Sequence, residues 1–353
     1  MAVAGITPSH AAETNDTFTE VTFDELIDLE AEHHAVDTEI IRQHWKLSMP
    51  LFARRKAFIP KIPMFWALVF DEAPPEIENN IQPTDSQFFA DYLLDFEVDR
   101  FELDTEPRSF KISFEFKENP HFEDRIIEKT FWWRHAQEGW TGHVSEPVTI
   151  TWKTGKDLTR GLTDATVALW TRWKEMDGEA QRLGFSIMEE EKTYTELKKK
   201  LEDSDFSMHS FFTLFTFVST HRWVSAEENE ETLNRDKMDR EARQSGKEVP
   251  DRKEEADAAI DDTHVLACPQ GDDIATVLVE ELYANAIKYF TAAHEHDSAT
   301  QSERDFEEEL GDEFDSDDES GNDDEASSPA PRKRALSDGD ELSEPTPKSS
   351  RKK

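Results

Sequence analysis

Carboxylates are the most abundant chemically active side chains in this sequence. The 353 residues include 79 Asp plus Glu against 40 Lys plus Arg, a formal net charge of −39. Residues 303–325 hold fourteen acids and one base, and residues 326–353 carry a net +3, so residues 1–302 keep a net charge of −29. Dense carboxylates attract cations and repel phosphates, so the composition indicates a basic protein partner and disfavours direct sequence-specific binding of nucleic acid.

The densest run of acids lies in the C-terminal part of the chain. It shows no apolar periodicity, so we predict a disordered acidic tail whose carboxylates bind the basic partner. A solubilising spacer is an equally good interpretation. The predicted binding residues are Glu307, Glu308, Glu309, Asp312, Glu313, Asp315, Asp317, Asp318 and Glu319.

Two basic clusters follow this acidic run. They resemble a bipartite nuclear import signal and predict a nuclear protein, with shuttling to the cytoplasm as a further expectation. Simple charge balance is the alternative interpretation. Ser316, Ser328, Ser337 and Thr346 lie beside acids or before proline, where phosphorylation could add charge or mask the signal. The clusters are Arg332, Lys333, Arg334 and Lys348, Arg351, Lys352, Lys353.

Residues that could support catalysis or hold a metal lack the necessary companions. His33, His34 and His44 fall in one predicted helix without a spaced set of further ligands, and Cys268 is the single cysteine. Residues 154–157, Thr-Gly-Lys-Asp, lack the rest of a phosphate-binding loop. We therefore expect a binding protein with no catalytic residue, no metal and no cofactor.

The composition changes along the chain and predicts four regions. These are a flexible leader over residues 1–18, a long helix within residues 19–60, a folded lobe over residues 61–294 and the tail, residues 295–353. The 24 Phe and 9 Trp can supply a core for the lobe, and no apolar run reaches the roughly 18 residues that span a bilayer, so we expect no membrane partner. Residues 222–262 are charged and nearly lack large apolar side chains, which predicts a mobile insertion.

An apolar stripe marks one long helix over residues 22–58. Its members recur at alternating three- and four-residue steps, with acids and polar residues opposite. A helix of this length seldom packs within one small domain, so we predict a dimerisation helix paired antiparallel with its copy; a long core helix of a monomer is the alternative. Pro50 is expected to bend the helix or to remove one hydrogen bond. The stripe consists of Leu26, Leu29, His33, Val36, Ile40 and Leu47.

The pattern after the long helix predicts an α+β lobe. Apolar and polar residues alternate over residues 110–117, which predicts a half-buried antiparallel strand, and neighbouring strands are predicted around residues 96–101, 126–133 and 148–152. Apolar residues at helical spacing then predict helices that pack on the sheet. The shorter predicted helices cover residues 85–94, 158–176, 181–201, 207–219 and 272–291.

Four blocks in one order resemble the SET and nucleosome assembly proteins. The segment that follows the family's long helix is similar to IPKIPMFWALVF, residues 59–70, and its strand-turn-strand core is similar to FKISFEFKENPHFEDRIIEKTF, residues 110–131. The third strand with its turn resembles TITWKTGKDLT, residues 149–159, and the Phe-Phe helix resembles SFFTLFTF, residues 210–217. The short leader is more similar to the SET branch.

The resemblance implies a homodimeric histone chaperone. In that family two long helices pair antiparallel, an α/β lobe hangs from each end, and a concave acidic underside binds core histones, as H3–H4 or H2A–H2B, during nucleosome assembly and disassembly. By resemblance, the binding role falls on acids in or beside the matched strands; a solvated polar face is the alternative for each of them. These acids are Glu115, Glu118, Glu123, Asp124 and Glu128.

The same resemblance leaves two other functions open. SET-like proteins of fungi serve a histone acetyltransferase as accessory subunits, and SET proteins are linked to phosphatase inhibition. Pull-down with histones alone or together with an acetyltransferase, and a phosphatase assay, would distinguish these functions from a chaperone.

Overall fold

The structure, a computed structural model, describes residues 23–205, 208–245, 247, 249 and 262–295. The predicted leader, the tail carboxylates and both basic clusters lie outside these residues. The helices are α1 (Phe23–Phe58), α2 (Phe65–Asp71), α3 (Pro75–Glu78), α4 (Pro83–Tyr92), α5 (Leu162–Lys174), α6 (Gly178–Gln181), α7 (Lys192–Glu202), α8 (Ala226–Gln244), α9 (Gly271–Val277) and α10 (286–295). The strands are β1 (Leu93–Asp99), β2 (Phe110–Phe116), β3 (Ile126–His135), β4 (Thr141–Ser145) and β5 (Val218–Ser219).

The long helix α1 confirms the first part of the predicted fold, and it continues through Pro50 without a break. Its inner face packs on the lobe: the rings of Trp45 and Phe52 lie 6.2 and 5.0 Å from the ring of Tyr283, centroid to centroid. The Arg55 guanidinium lies 4.3 Å from the same ring and donates a hydrogen bond to the Tyr283 carbonyl. Aromatic and cation–π contacts of this kind favour burial. The C-terminal half of α1 is therefore part of the lobe's core.

Five antiparallel strands form one sheet in the order β1-β2-β3-β4-β5. In β2 every second side chain from Phe110 to Phe116 is buried, and the side chains between them are half-buried. In the pairing with β3, Phe110 lies opposite Phe131 and Phe114 opposite Ile127. The period of two thus places phenylalanines on the core face, as the sequence predicted. Together α1 and this sheet confirm the α+β class.

The predicted third strand is wrong. Residues 148–152 form no strand: Trp152 makes an isolated bridge to Phe122, and the Val148 amide donates to the carbonyl of Phe215 at 2.8 Å. β4, which was not predicted, pairs with β3 instead. The alternation over residues 148–152 does correspond to alternating burial, but a burial pattern does not specify the backbone's hydrogen-bond partner.

The predicted helix over residues 207–219 is also wrong, because the chain forms a 3-10 turn at Phe211–Phe215 and then β5. All side chains from residue 210 to the end of this segment are buried, so it lacks the polar face of an amphipathic helix. The Ser210 hydroxyl accepts from the Phe212 amide and donates to the Asp85 carboxylate at 2.6 Å. Burial raises the pKa of Asp85.

The remaining helices follow the predictions with two interruptions. α5 lies within the predicted range of residues 158–176. Of the predicted helix over residues 181–201 only the C-terminal half is an α-helix, α7, because α6 ends at Gln181, Gly184 follows at φ 71° and a 3-10 turn covers Ser186–Met188. That conformation favours glycine and does not continue an α-helix. A π-turn at Leu278–Tyr283 separates α9 from α10 within the predicted range of residues 272–291.

A helix occupies much of the predicted mobile insertion. We predicted mobility over residues 222–262. Residues 226–244 of this stretch form the regular helix α8, and residues 250–261 lie outside the described residues. Its docking is polar: the His135 amide donates to Asn229 Oδ1 at 2.8 Å, and Arg243 forms an ion pair at 3.2 Å with Asp28 of α1. A segment poor in apolar side chains can therefore dock through hydrogen bonds and ion pairs, which a pattern of hydrophobicity does not register.

Arg222 holds the N-terminal end of α8 against the β3–β4 turn. Its guanidinium donates to Glu228 of α8 at 2.9 Å and to Glu138 of the turn at 2.9 Å. Arg222 and Glu228 are both buried. Burial alone would raise the pKa of Glu138, but hydrogen bonds from His221 and Arg222 outweigh it and lower that pKa to about 2. The network therefore consists of charged groups that compensate one another away from water.

Lys129 is a buried cation on β3. Its Nζ donates to the carbonyl oxygens of Glu146 at 2.8 Å and Thr216 at 2.7 Å, so it joins β3 to the chain on both sides. Its side chain is fully buried, and this burial lowers the pKa of Lys129 to about 7. The protein interior thus disfavours the charged amine although its hydrogens have acceptors.

The buried network predicts a large cost for the substitution Arg222→Ala. The change leaves Glu138 and Glu228 without their counter-charge, and we expect the free energy of unfolding in urea to fall by roughly 3–5 kcal/mol. The control is Arg172→Ala, which removes an exposed pairing with Glu175 and should cost under about 1 kcal/mol. Equal losses in the two variants would contradict the assignment.

The lowered pKa of Lys129 predicts a pH dependence of stability. Between the folded value of about 7 and the unfolded value of 10.5, unfolding takes up a proton, so stability rises with pH over this window and is flat below it. Relative to Lys129→Met, the native protein should gain about 3 kcal/mol between about pH 7 and about pH 9.5. Urea unfolding of both proteins at the two pH values measures this difference. A difference that does not change with pH would refute the prediction.

Candidate functional site

The five acids predicted from the matched strands lie on one hairpin. Glu115 is on β2, Glu128 is on β3 opposite Ser113, and the other three lie between the two strands. The core face of the hairpin carries the phenylalanines, so Glu115 and Glu128 point to the opposite face of the sheet. The structure therefore brings the predicted acids together along one edge of the lobe.

Three of these acids already have partners. Arg125 lies 2.8 Å from Glu115, and the Asp124 carboxylate accepts from the Thr151 amide at 2.6 Å. Glu128 accepts from the Ser113 hydroxyl and from Lys111, and these two hydrogen bonds lower its pKa. A cationic ligand would have to displace these groups.

Glu118 and Glu123 are the two acids that remain available. Both side chains are exposed, and within the described ranges neither forms a side-chain hydrogen bond or ion pair. They line an open cleft at the end of the hairpin whose apolar floor includes Phe116 and Phe122. Lys117, Arg125 and Lys153 also line this cleft, so its charge is mixed. The free carboxylates, rather than the whole cleft, are suited to bind cations.

The predicted dimerisation residues form an exposed stripe on α1. Leu26, Leu29, Val36, Ile40 and Leu47 are between 50% and 75% exposed, and His33 is exposed among them. An apolar surface of this length, ~21 residues at 1.5 Å each or about 32 Å, is unusual on a monomer and marks an interaction face.

The stripe extends beyond the predicted residues. Leu51, 59% exposed, lies four residues after Leu47, and Phe58, 55% exposed, lies seven residues after Leu51 on the same face. The sequence already contains this pattern, because the apolar spacing of α1 continues past Pro50. The lobe takes up the opposite face of α1 through Trp45 and Phe52.

Other candidate chemistry has a structural explanation. The Asp157 carboxylate accepts from the amides of Thr159 and Gly161 at 2.7 and 2.6 Å, so the loop at residues 154–157 serves as a turn that leads into α5. Cys268 is buried, and burial raises its pKa to about 11, which disfavours a reactive thiolate. Among the described residues no group of three or more His, Cys, Asp or Glu is placed to hold a metal ion. No helix in the described part combines the length and apolarity needed to cross a bilayer.

Comparison with known proteins gives a match over most of the chain. The family model described as nucleosome assembly protein (NAP) matches residues 53–293. A putative nucleosome assembly protein of Schizosaccharomyces pombe is 32% identical over 148 residues, which cover 39% of this chain and 60% of that protein. Protein SET of Drosophila melanogaster is 28% identical over 142 residues, which cover 38% of this chain and 51% of that protein.

Solved structures of similar proteins include Ccp1 and Vps75. The crystal structure of Ccp1 is 24% identical, with a TM-score of 0.46, and the match covers 77% of this chain and 95% of that one. For Vps75 the identity is 17% and the TM-score 0.44, with coverage of 76% and 96%. The family model covers more than half of the present sequence, from the C-terminal part of α1 to α10, and on that match the chain belongs to the nucleosome assembly protein family.

Proposed function

We propose that this protein is a histone chaperone: a non-enzymatic homodimer that binds core histones through carboxylates, keeps them from non-specific contact with DNA and releases them during nucleosome assembly and disassembly. The observation that carries the proposal is the net charge of −29 on residues 1–302 in a chain with the NAP fold. Family membership supports the class of function, and the free carboxylates of Glu118 and Glu123 support a binding surface on the lobe.

Distributed carboxylates suit a partner that must be both held and released. Histones are basic, and an exposed ion pair contributes only about 0–1 kcal/mol, so affinity comes from the sum of many weak pairs. Long-range attraction also speeds encounter, and salt screens it. The tail acids from Glu307 to Glu319 would add a second anionic surface, and the clusters at residues 332–334 and 348–353 would direct the protein to the nucleus.

Two copies of α1, paired antiparallel, would cover the exposed stripe. The stripe lies opposite the face that the lobe occupies, so pairing is compatible with the contacts of Trp45 and Phe52. Burial of apolar area contributes about 25 cal/mol per Å², so covering the stripe on both copies would favour the pair. Pairing would carry two lobes on one scaffold.

The first prediction concerns the free carboxylates. The double substitution Glu118→Gln and Glu123→Gln should weaken core-histone binding about three- to tenfold at low salt, because two unpaired negative charges are lost. The matched control is Glu189→Gln with Glu190→Gln, the same charge change at exposed acids away from the hairpin. Binding is measured by fluorescence titration with labelled histones over rising salt. Failure of the native chain to bind histones at low salt would contradict the function; binding only when an acetyltransferase is present would favour the accessory-subunit alternative.

The second prediction concerns the dimer. The native chain should scatter light with twice the mass of its 40.8 kDa monomer, and Leu29→Ser, Val36→Ser and Ile40→Ser together should reduce it to the monomer mass, because polar side chains remove the apolar contact. Glu32→Ser with Ala35→Ser, exposed positions beside the stripe, serves as the control and should leave the mass unchanged. A triple variant that keeps the dimer mass would refute the role of the stripe.

A further inference from the structure

A second open groove lies between α2, α3 and α4, away from the hairpin. Its volume is about 190 Å³, which suits one long side chain. Most of its lining is apolar, and the phenylalanine rings at its floor are 5.1 Å apart, centroid to centroid. The apolar lining residues are Ala67, Phe70, Ile81, Pro83 and Phe89.

Two carboxylates form the rim of this groove. Asp71 is the last residue of α2 and Glu78 the last residue of α3, and both are exposed. In the part of the chain that the structure describes, the Asp71 side chain has one long hydrogen bond, 3.5 Å from the Ser86 hydroxyl, and Glu78 has no side-chain partner. They differ in this from Glu115, Asp124 and Glu128 on the hairpin.

The negative charge of the rim comes from its side chains. Asp71 and Glu78 end helices of only seven and four residues, and the backbone carbonyls of Phe70 and Glu78 already accept from the amides of Ala73 and Ile81 at 3.4 and 3.0 Å. The N-terminal end of α4 also lines the groove, and backbone amides at a helix N-terminus carry partial positive charge. An internal carboxylate already accepts there, because the Gln82 amide donates to Asp85 at 3.1 Å. The rim is therefore anionic and the interior apolar.

We propose that this groove holds a single lysine or arginine side chain of a basic polypeptide. Lysine and arginine combine an apolar stem with a terminal cation, which fits an apolar slot with carboxylates at its mouth. An acidic side chain would be repelled by Asp71 and Glu78. The inference rests on the proposed function, since histones are the basic partner, and it assigns to α2, α3 and α4 an anchor separate from the hairpin acids.

The test uses the full chain and a fluorescein-labelled peptide of alternating lysine and alanine. Asp71→Asn with Glu78→Gln removes the rim charges, and Ser86→Phe fills the groove while both carboxylates stay. We expect each variant to bind the peptide about fivefold or more weakly. The control, Glu76→Gln with Asp91→Asn, removes two exposed charges from α3 and α4 outside the groove and should change affinity less than about twofold.

The outcomes separate this inference from the proposed function. A rim variant that binds the peptide as tightly as the native chain, or a control that loses as much affinity as the rim variant, overturns the groove. Histone binding by the native chain would in that case leave the proposed function intact. A native chain that binds the peptide through the groove but does not bind core histones overturns the proposed function alone. If changing Arg332, Lys333 and Arg334 to Gln makes the peptide bind more tightly, the chain's own basic cluster competes for the groove. That result would overturn the proposal that the groove serves a separate basic polypeptide. Urea unfolding of the Ser86→Phe variant shows whether this variant folds normally. If it does not fold, the rim variant still tests the proposal.

Discussion

The helix α1 carries apolar residues on two opposite faces, and the lobe covers only one of them. A straight helix cannot turn both apolar faces toward one lobe, and here the lobe takes the face that carries Trp45, Phe52 and Arg55, closed by the ring and carbonyl of Tyr283. The stripe from Leu26 to Phe58 is left without cover in the single chain. The proposed pairing with a second copy would therefore follow from how the first copy folds, and any surface for a partner is displayed relative to that helix.

The distribution of charge follows a similar logic. Arg55, Arg100, Lys129 and Arg222 are buried, so a share of the basic residues is used to bind carbonyls, rings and internal carboxylates. Asp85, Glu228 and Asp262 are buried as well, so burial removes bases and acids from the surface in similar numbers, and the surface keeps the acidic excess of the sequence. Free acids such as Glu118 and Glu123 stand beside acids that the fold has already paired, and only the three-dimensional contacts distinguish the two kinds.

Sequence patterns predicted α1 and β2 because each repeats one simple period over many residues. They missed β4, which is five residues long and includes Gly142 and His143, because so short a segment carries no period. They assigned a helix to the chain around Phe211 because its apolar residues are dense, whereas full burial and the Ser210–Asp85 hydrogen bond produce a 3-10 turn. The docking of α8 depends on ion pairs between residues far apart in sequence, such as Arg243 with Asp28. The sequence also does not show which hairpin acids are paired, because Arg125 contacts Glu115 and Thr151 contacts Asp124 only in the folded chain.

We propose that paired helices present carboxylates to histones as one assembly. Light scattering on the full chain mixed with core histones, at moderate salt and then after addition of DNA, measures this assembly. We expect a discrete complex whose mass contains two copies of the chain, and DNA should take the histones and return the free dimer mass. A complex with one copy of the chain, or histones that precipitate or remain unbound, would contradict it.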